Sequence, residues 1–394
     1  IKPFMSFGKM PSANGFLEKE KFKDEVFYEM EVGFSKKCHL LQLNEFPKPE
    51  NIHNENYPFY TSSSNYMISH FNQFSEWLKK KYLSLSSNSK LIEIGSNDGT
   101  LLKNFNNTNT QAIGFEPSES VAKISLKNNV NTLKVFFNTD TINEVKNFKG
   151  KTDVICSANV IAHIPDLKNV MESVDLLLTN KGVFVFEDPY LGSMFSNVSY
   201  DQIYDEHIYL FSLSSVKKIA NLFDFELIDA IKQMTHGGSM RYVIGRKDQH
   251  KISENVNTLL NYEKENKLDD LESCLNFKKD CENSKINTIN SLKEMKKKGK
   301  KICGYGATAK SSTILNYCKL GIETIDFICD TTKEKIGKFS PGSHIPIVSV
   351  DHFHKNNPDI AYLFAWNHKN EIFQKEKDFI KKGGEWFSHV DLQK

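Results

Sequence analysis

Apolar residues along the chain change between two spacings, one typical of helices and one typical of strands. From Tyr66 to Tyr82 they recur at helical intervals, and short apolar runs bounded by glycine and polar residues follow. The runs predict strands at 91–94, 112–115, 154–156, 183–186 and 240–244. Strands and helices that alternate in this way predict an α/β fold around a mostly parallel sheet covered on both faces.

Two further regions flank this unit. The region before it contains only short, mixed segments. After it, the charge-rich stretch 250–300 is predicted to be helical throughout, and a second alternation of strands and helices begins at 301. A chain of 394 residues exceeds what one core usually organises. The predicted domains are therefore 1–62, 63–248 and 249–394.

Composition and charge narrow the class of protein. Lys and Arg total 51 against 49 Asp and Glu, a net charge of +2, so neither nucleic acid nor a membrane is favoured as a partner. No run approaches the roughly 18 apolar residues of a membrane span, the start lacks the layout of a secretion signal, and no two of the seven cysteines form a CxxC pair. We predict a cytoplasmic protein, monomeric or weakly homo-oligomeric. The start at Ile1, without an initiator methionine, suggests a fragment.

A glycine loop, Glu93-Ile-Gly95-Ser-Asn97-Asp98-Gly99, lies between a predicted strand and a helix predicted over 101–105. Glycine lets the backbone turn sharply and approach a ligand closely. The pattern is not the dinucleotide fingerprint G-x-G-x-x-G, and the preceding acid suits a cationic ligand with an amino group better than a pyrophosphate. We predict that Glu93, Gly95, Asn97, Asp98 and Gly99 bind such a cofactor.

Glu116 ends the next predicted strand, where a carboxylate can accept both hydroxyls of a ribose. A ligand with a ribose but without a phosphate is therefore indicated, and S-adenosylmethionine is the common one. Pro117, the next residue, is included in the predicted cofactor site.

A second glycine loop, Gly304-Tyr-Gly306-Ala-Thr-Ala309, fits the G-x-G-x-x-A form after a predicted strand. Backbone N–H groups at the helix start and Lys310 would form an anion site for a diphosphate, and Asp330 stands where a ribose-binding acid is expected. In isolation this loop indicates NAD. Arg241 is a further candidate for a phosphate contact, although such an arginine is more often in a surface ion pair.

Several rarer segments carry a resemblance that covers almost the whole chain in order. They are CSANVIAHIP at 156–165, FEDPYL at 186–191, YDEH at 204–207, HGGSMR at 236–241, GYGATAKS at 304–311 and FAWNH at 364–368. With them the chain closely resembles the sugar C-methyltransferases that act on nucleotide-linked deoxy-4-ketosugars.

The resemblance implies a small N-terminal zinc-binding domain, a central S-adenosylmethionine-dependent methyltransferase domain, and a C-terminal Rossmann-like domain that helps to hold the sugar nucleotide. The implied site residues are Tyr204, Glu206, His207, His163 and a tyrosine that is either Tyr57 or Tyr60. We take Tyr57 as the candidate and include Asn159 in the cofactor site.

The N-terminal domain departs from the family. The family's zinc site uses two cysteine pairs, whereas here the earlier pair is absent and the later one is Ser35-Lys-Lys-Cys38. One thiolate and His39 cannot supply the four ligands of a structural zinc site. Either the start is truncated or the metal has been lost, so we predict a degenerate zinc-binding-type domain without a metal site.

The chemistry expected of these residue types agrees with the resemblance. Methylation at carbon requires a base that removes a proton beside the ketone and donors that stabilise the enolate oxygen. His207 is the natural base, because imidazole titrates near neutral pH. Tyr204 would share its face on a helical turn, Glu206 would point elsewhere, and His163 could donate to the enolate oxygen.

The predicted function is methyl transfer from S-adenosylmethionine to a carbon next to the keto group of a nucleotide-linked 4-ketodeoxysugar, with TDP as the expected carrier. One alternative is an NAD-dependent sugar-nucleotide oxidoreductase that acts through the second glycine loop. Another is a non-catalytic protein that binds nucleotide sugars. Transfer to oxygen or nitrogen would leave two histidines and a tyrosine in excess of what the reaction needs.

Overall fold

The computed structural model describes residues 1–52, 57, 59–83, 88–391 and 393. The strands are β1 (Pro3–Pro11), β2 (Phe27–Ser35), β3 (Leu40–Leu43), β4 (Lys90–Ile94), β5 (Gln111–Phe115), β6 (Thr132–Leu133), β7 (Thr152–Ala158), β8 (Leu178–Pro189), β9 (Tyr209–Leu210), β10 (Phe225–Gln233), β11 (Ser239–Arg246), β12 (Ile302–Tyr305), β13 (Ile328–Asp330), β14 (Ile347–Ser349), β15 (Ile360–Leu363) and β16 (Glu385–Phe387).

The helices lie mainly in the central and C-terminal parts of the chain. They are α1 (Pro49–Ile52), α2 (Asn65–Lys81), α3 (Glu119–Lys127), α4 (Leu167–Leu177), α5 (Leu191–Asn197), α6 (Leu213–Asn221), α7 (Glu254–Glu265), α8 (Leu271–Lys297), α9 (Ala309–Tyr317), α10 (Val350–Asn356), α11 (Lys369–Lys375) and α12 (Lys377–Lys381). No helix within the described ranges is long and apolar enough to cross a membrane.

The central sheet has the strand order β10-β11-β8-β7-β4-β5-β6. The pairs from β8 to β6 are parallel, whereas β10 and β11 pair antiparallel. Successive residues such as Leu91 and Ile92 enter different hydrophobic clusters, so both faces of the sheet are buried. The predicted parallel sheet is confirmed, and its parallel strands bring the ends of β4, β5, β7 and β8 to one edge.

The C-terminal sheet is parallel throughout the strands that the structure describes, with the order β14-β13-β12-β15-β16. Its core is shared with the N-terminal sheet, because Met5 and Leu41 belong to the same hydrophobic cluster as Ile302 and Ile360. The N-terminal sheet has the order β1-β2-β3-β9. Strand β9 comes from the segment that immediately follows His207, so that segment lies where the three sheets meet.

Three details differ from the sequence-based expectations. The stretch 250–300 is not helical throughout, because residues 266–270 separate α7 from α8. The predicted helix at 101–105 is a short 3-10 segment, Leu102–Phe105. Strand β10 was not predicted, since its burial against α6 and α7 and its pairing with β11 arise only in the folded chain.

Candidate active site

The first glycine loop makes the predicted turn after β4. Gly95 and Gly99 have φ values of +69° and +79°, which side chains rarely adopt. A Cβ on Gly95 would lie 2.4 Å from Cγ2 of Val160, and one on Gly99 would lie 2.6 Å from Oγ of Ser125. Glycine is therefore required at both positions, because the turn packs closely against Val160 and Ser125.

Buried acids lie around this loop. Glu93 is 3% exposed, and its Oε2 has no hydrogen-bond partner among the described residues. Burial, together with the neighbouring Asp98 and Glu116, raises the pKa of Glu93 well above its usual value. Glu116 accepts hydrogen bonds from the N–H groups of Asn97 (2.9 Å) and Ser118 (2.8 Å). Pro117 is the residue between Glu116 and Ser118 in this turn.

Asn159 completes this edge of the sheet. It follows β7 with a φ of +58°, its N–H donates to the Glu187 carbonyl at 2.7 Å, and its buried Oδ1 has no partner within the described part of the chain. The unpartnered oxygens of Glu93 and Asn159 fit a ligand that carries amino and hydroxyl donors. S-adenosylmethionine is such a ligand, so the residues present fit this cofactor.

Asn97 and Asp98 hold a neighbouring segment. Oδ1 of Asn97 accepts from the N–H of Thr61 at 3.0 Å, and Oδ2 of Asp98 accepts from the N–H of Ser62 at 2.8 Å. Their side chains therefore tie the segment that follows Tyr57 to the glycine loop, which the sequence did not indicate.

The Tyr204–His207 segment is a turn rather than the predicted helical turn, closed by the His207 N–H donating to the Tyr204 carbonyl at 2.9 Å. The two side chains nevertheless meet, since the Tyr204 hydroxyl lies 2.8 Å from Nε2 of His207. Nδ1 of His207 lies 2.7 Å from the carbonyl oxygen of Gln202. A carbonyl can only accept, so Nδ1 carries the proton and Nε2 holds the lone pair that accepts from Tyr204.

Burial, with a smaller effect from the positive charge of Lys310, lowers the pKa of His207 to about 4, although the hydrogen bond with Gln202 and the charge of Asp201 act in the opposite direction. The ring is therefore neutral at pH 7, and the expectation that it titrates near neutral pH is wrong because burial disfavours the charged form. His163 follows β7 in the 3-10 segment Ile161–His163, and the centroid of its ring lies 5.2 Å from that of His207. The two histidines thus share one site at the edge of the central sheet.

Glu206 points away from His207, as expected, and its Oε1 accepts from Nδ2 of Asn14 at 2.5 Å. The adjacent Asp205 accepts from the N–H of Ala13 at 3.1 Å. Burial raises the pKa of Glu206, and the charge of Asp205 adds to this effect. The N-terminal domain therefore contacts the Tyr204–His207 turn directly.

Burial raises the pKa of Tyr57 well above its usual value, and the charges of Glu206, Glu116 and Tyr204 raise it further. Tyr57 is therefore affected by charges from both the predicted cofactor site and the predicted catalytic segment.

The second glycine loop is closed on itself. Gly306 has a φ of +91°, and a Cβ on Gly304 would lie 2.6 Å from the ring of Phe364. The carboxylate of Asp330 accepts from the N–H groups of Ala307 (2.6 Å) and Thr332 (2.7 Å). Asp330 therefore stabilises the backbone of its own loop.

Lys310 points toward a different segment. Its Nζ lies 3.4 Å from the carbonyl of His236, 3.3 Å from Oδ1 of Asn367 and 4.9 Å from the centre of the Trp366 ring. The charge of Lys310 lowers the pKa of His207, so the lysine lies close enough to act on that ring. The cation thus faces the candidate site from the C-terminal domain.

Arg241 is not at the surface. Its guanidinium binds Glu187 through Nε at 2.6 Å and stacks on the rings of Phe74 and Trp77. Glu187 also lies 2.6 Å from Nε2 of His70. Arg241 and Glu187 thus form a buried structural ion pair, which does not favour the predicted contact of Arg241 with a phosphate. Neither Glu187 nor His70 was predicted as part of the site. The pair follows from the β8–β11 register, which the sequence alone does not reveal.

The N-terminal domain contains one cysteine, Cys38, whose N–H lies 3.4 Å from Oγ of Ser35. His39 Nδ1 lies 3.6 Å from Asp269. Among the residues with described positions, no group of three or more His, Cys, Asp or Glu side chains is arranged to hold a metal ion. The residues present here do not fit a zinc ion.

Three family models match consecutive parts of the chain. They match residues 1–53 (zinc binding domain), 67–230 (methyltransferase domain) and 234–390 (C-methyltransferase C-terminal domain). The C-methyltransferase NovU of Streptomyces niveus is 28% identical over 382 residues, which are 96% of this chain and 90% of NovU.

Solved structures match about half of the chain at low scores. The PH0226 protein from Pyrococcus horikoshii OT3 is 16% identical over 52% of this chain and 100% of its own, with a TM-score of 0.38. Magnesium protoporphyrin IX methyltransferase (ChlM) from Synechocystis PCC 6803, with bound SAM, is 12% identical over 46% and 79%, with a TM-score of 0.34. The chain is thus similar to C-methyltransferases over almost its whole length, and it is an S-adenosylmethionine-dependent methyltransferase.

Proposed function

We propose that the enzyme methylates a carbon next to the keto group of a nucleotide-linked 4-ketodeoxysugar, with TDP as the carrier, and that His207 removes the proton from that carbon. The orientation of His207 is the observation that carries the proposal. Its Nδ1–H is held by the Gln202 carbonyl, so the lone pair of Nε2 faces the Tyr204 hydroxyl and the site. A neutral imidazole with a fixed lone pair can accept that proton, and a pKa near 4 makes it a weak base until the charges around it change.

S-adenosylmethionine, when bound, supplies an electrophilic methyl group. We propose that Glu93, Gly95, Gly99, Glu116, Pro117 and Asn159 hold it at the edge of the central sheet. Asn97 and Asp98 are proposed to act one step away, by fixing the segment at Thr61 and Ser62 over the loop.

The donors around His207 have roles in binding the ketone. When the substrate C–H approaches Nε2, the Tyr204 hydroxyl is displaced and becomes free to donate to the oxygen that gains negative charge. The His163 ring lies 5.2 Å from the His207 ring, and His163 and Tyr57 are proposed as further donors. The raised pKa of Glu206 favours its protonated form, which can donate to a sugar hydroxyl.

Lys310 is proposed to bind the diphosphate, with the backbone turn at Gly304 and Gly306 supporting its position. The charge of Lys310 is one cause of the low pKa of His207. A bound diphosphate would offset that charge, so His207 becomes a stronger base once the substrate is in place.

The alternative of an NAD-dependent reaction rests on the second glycine loop alone. Oγ of Ser312 in α9 donates to the Ala13 carbonyl at 2.7 Å, so the N-terminal domain packs against this helix close to Lys310.

We also propose the division into 1–62, 63–248 and 249–394, which follows the three sheets except at β9. A cytoplasmic location is proposed from the cysteines, all seven of which are free thiols. Monomeric or weakly homo-oligomeric association remains a prediction.

The proposal is tested by incubating the enzyme with labelled S-adenosylmethionine and a panel of TDP-4-ketosugars. We expect one of them to gain the methyl group at carbon and to lose a ring hydrogen. His207→Gln should abolish transfer while affinity for the cofactor survives, since Gln keeps a similar size without a basic nitrogen.

His352→Gln is a matched control, because His352 is an exposed histidine in α10. It should leave transfer unchanged. Retained transfer in His207→Gln removes His207 from the mechanism, and methylation of a hydroxyl or amine instead of carbon contradicts the proposed reaction.

A further inference from the structure

Asp201 is a buried carboxylate that joins the catalytic segment to the C-terminal domain. It lies in the 3-10 segment Tyr200–Gln202 and its side chain is 1% exposed. Its Oδ2 accepts the indole N–H of Trp366 at 2.6 Å, and its Oδ1 lies 3.2 Å from Nε2 of His389. The side chain of His389 is fully buried, and its Nδ1 lies 3.2 Å from the Tyr362 hydroxyl.

These partners keep Asp201 ionised. Burial alone would raise the pKa of Asp201, but His389, Lys310 and Trp366 outweigh burial and hold it below its usual value. A buried charge of this kind is costly unless its partners are correctly placed. Asp201 therefore has a strong preference for one position against the C-terminal domain.

The residues that follow Asp201 transmit this position to the base. Gln202, the next residue, supplies the carbonyl that binds Nδ1–H of His207 at 2.7 Å. The carbonyl of Ile203 accepts from Oγ1 of Thr313 in α9 at 2.9 Å. Contacts from the C-terminal domain thus fix both sides of the one peptide group that decides which nitrogen of His207 carries the proton.

We propose that Asp201 is a positioning residue through which the C-terminal domain, by way of Trp366 and His389, fixes the Gln202 carbonyl and hence the tautomer of His207. The C-terminal domain then completes the base as well as contributing to substrate binding. This inference rests on the proposed function of His207, although the orientation of the ring can be measured independently of activity.

The test uses the full chain labelled with 15N-histidine, in which the His207 signals are assigned by their loss in His207→Gln. Wild-type enzyme should show the Nδ1–H tautomer of His207. In Asp201→Asn we expect a mixture of tautomers, because the carboxamide keeps an acceptor for Trp366 but loses its charge toward His389. With a released ring, kcat should fall roughly 10- to 100-fold while affinity for S-adenosylmethionine is unchanged.

Glu25→Gln is the matched control. Glu25 also joins a carboxylate to the C-terminal domain, since its Oε2 lies 2.7 Å from Nε2 of His344 and its Oε1 accepts the N–H of Gly342 at 2.7 Å. Neither of these two contacts of Glu25 involves Gln202. Loss of the Glu25 charge should lower stability without changing the tautomer of His207 or kcat.

Trp366→Phe removes the indole donor and should shift the tautomer in the same direction, which keeps the test decisive if Asp201→Asn does not fold. The proposal is overturned if a folded Asp201→Asn or Trp366→Phe variant keeps only the Nδ1–H tautomer of His207 and has the kcat of the wild type. If the tautomer shifts but His207→Gln remains active, the positioning role stands and the proposed base fails.

Discussion

The two glycine loops of this enzyme follow the same order of strand, glycine turn and helix, and they differ in the residues that precede the turn. Glu116 and Asp330, which follow the next strand in each unit, both accept two backbone N–H groups. Before the first turn, Glu93 keeps a buried oxygen without a partner among the described residues, whereas the apolar Ile302 and Cys303 precede the second turn. A buried acid oxygen that remains unsatisfied in the folded chain indicates a ligand site. Similar sequence patterns therefore support different functions.

The largest expected difference between the loops concerns the cofactor. Gly95→Ala places a Cβ 2.4 Å from Val160 at a φ of +69°, so the first loop must move. Strain of about 3 kcal/mol corresponds to a roughly 100-fold loss of affinity for S-adenosylmethionine. Titration calorimetry with the purified variant measures this loss.

Gly306→Ala is the matched change in the second loop, since its Cβ would lie 2.8 Å from Ala365 at a φ of +91°. It should destabilise the C-terminal domain yet leave the affinity for S-adenosylmethionine within about twofold of wild type. An equal loss of cofactor affinity in both variants would contradict the distinction between the loops.

A smaller effect is expected for Lys310→Met, which removes the cation beside the second loop. Loss of a charged contact to a diphosphate costs about 1.5–3 kcal/mol, so affinity for a TDP-sugar should fall roughly 10- to 100-fold. Affinity for S-adenosylmethionine should stay the same. Unchanged affinity for the TDP-sugar would place the diphosphate elsewhere.

The same variant should change the titration of His207. Its pKa is lowered to about 4, first by burial and then by Lys310, so removal of that charge should raise the pKa. Because the folded pKa lies below the ordinary value of 6.5, His207 contributes a loss of stability as the pH falls from about 6.5 toward 4. An NMR titration of the 15N-histidine-labelled Lys310→Met variant should show a higher pKa of His207. An unchanged pKa would show that the charge of Lys310 does not act on His207.

The smallest effect is expected for Asp330→Asn. The carboxamide can accept one of the two N–H groups but not both, which should cost about 1–3 kcal/mol of stability. Denaturant unfolding measures that cost, and cofactor affinity should not change. Weaker binding of S-adenosylmethionine would show that the second loop also serves the cofactor.

The periodic parts of the fold were predictable from the sequence. The buried spacing of Met67, Phe71, Phe74 and Leu78 defines α2, and the apolar runs locate β4 and β5 within one residue. Local patterns of this kind do not depend on the rest of the fold.

The remaining features depend on contacts between distant segments. The pairing of Arg241 with Glu187 follows from the register of two antiparallel strands, and the contact of Asp201 with Trp366 joins residues 165 positions apart. The Tyr204–His207 segment forms a turn because the C-terminal domain and strand β9 fix both of its ends. Residue types indicated the chemistry of the site, but only the folded chain shows how its members are held.

Hydrogen exchange at the substrate carbon tests the role of His207 most directly. A TDP-4-ketosugar is incubated in deuterated water with the enzyme and S-adenosylhomocysteine, so that proton removal is observed without methyl transfer. We predict that wild-type enzyme exchanges the hydrogen beside the ketone and that His207→Gln, folded and able to bind the cofactor, does not. Exchange at the wild-type rate in His207→Gln would contradict the assignment of the base.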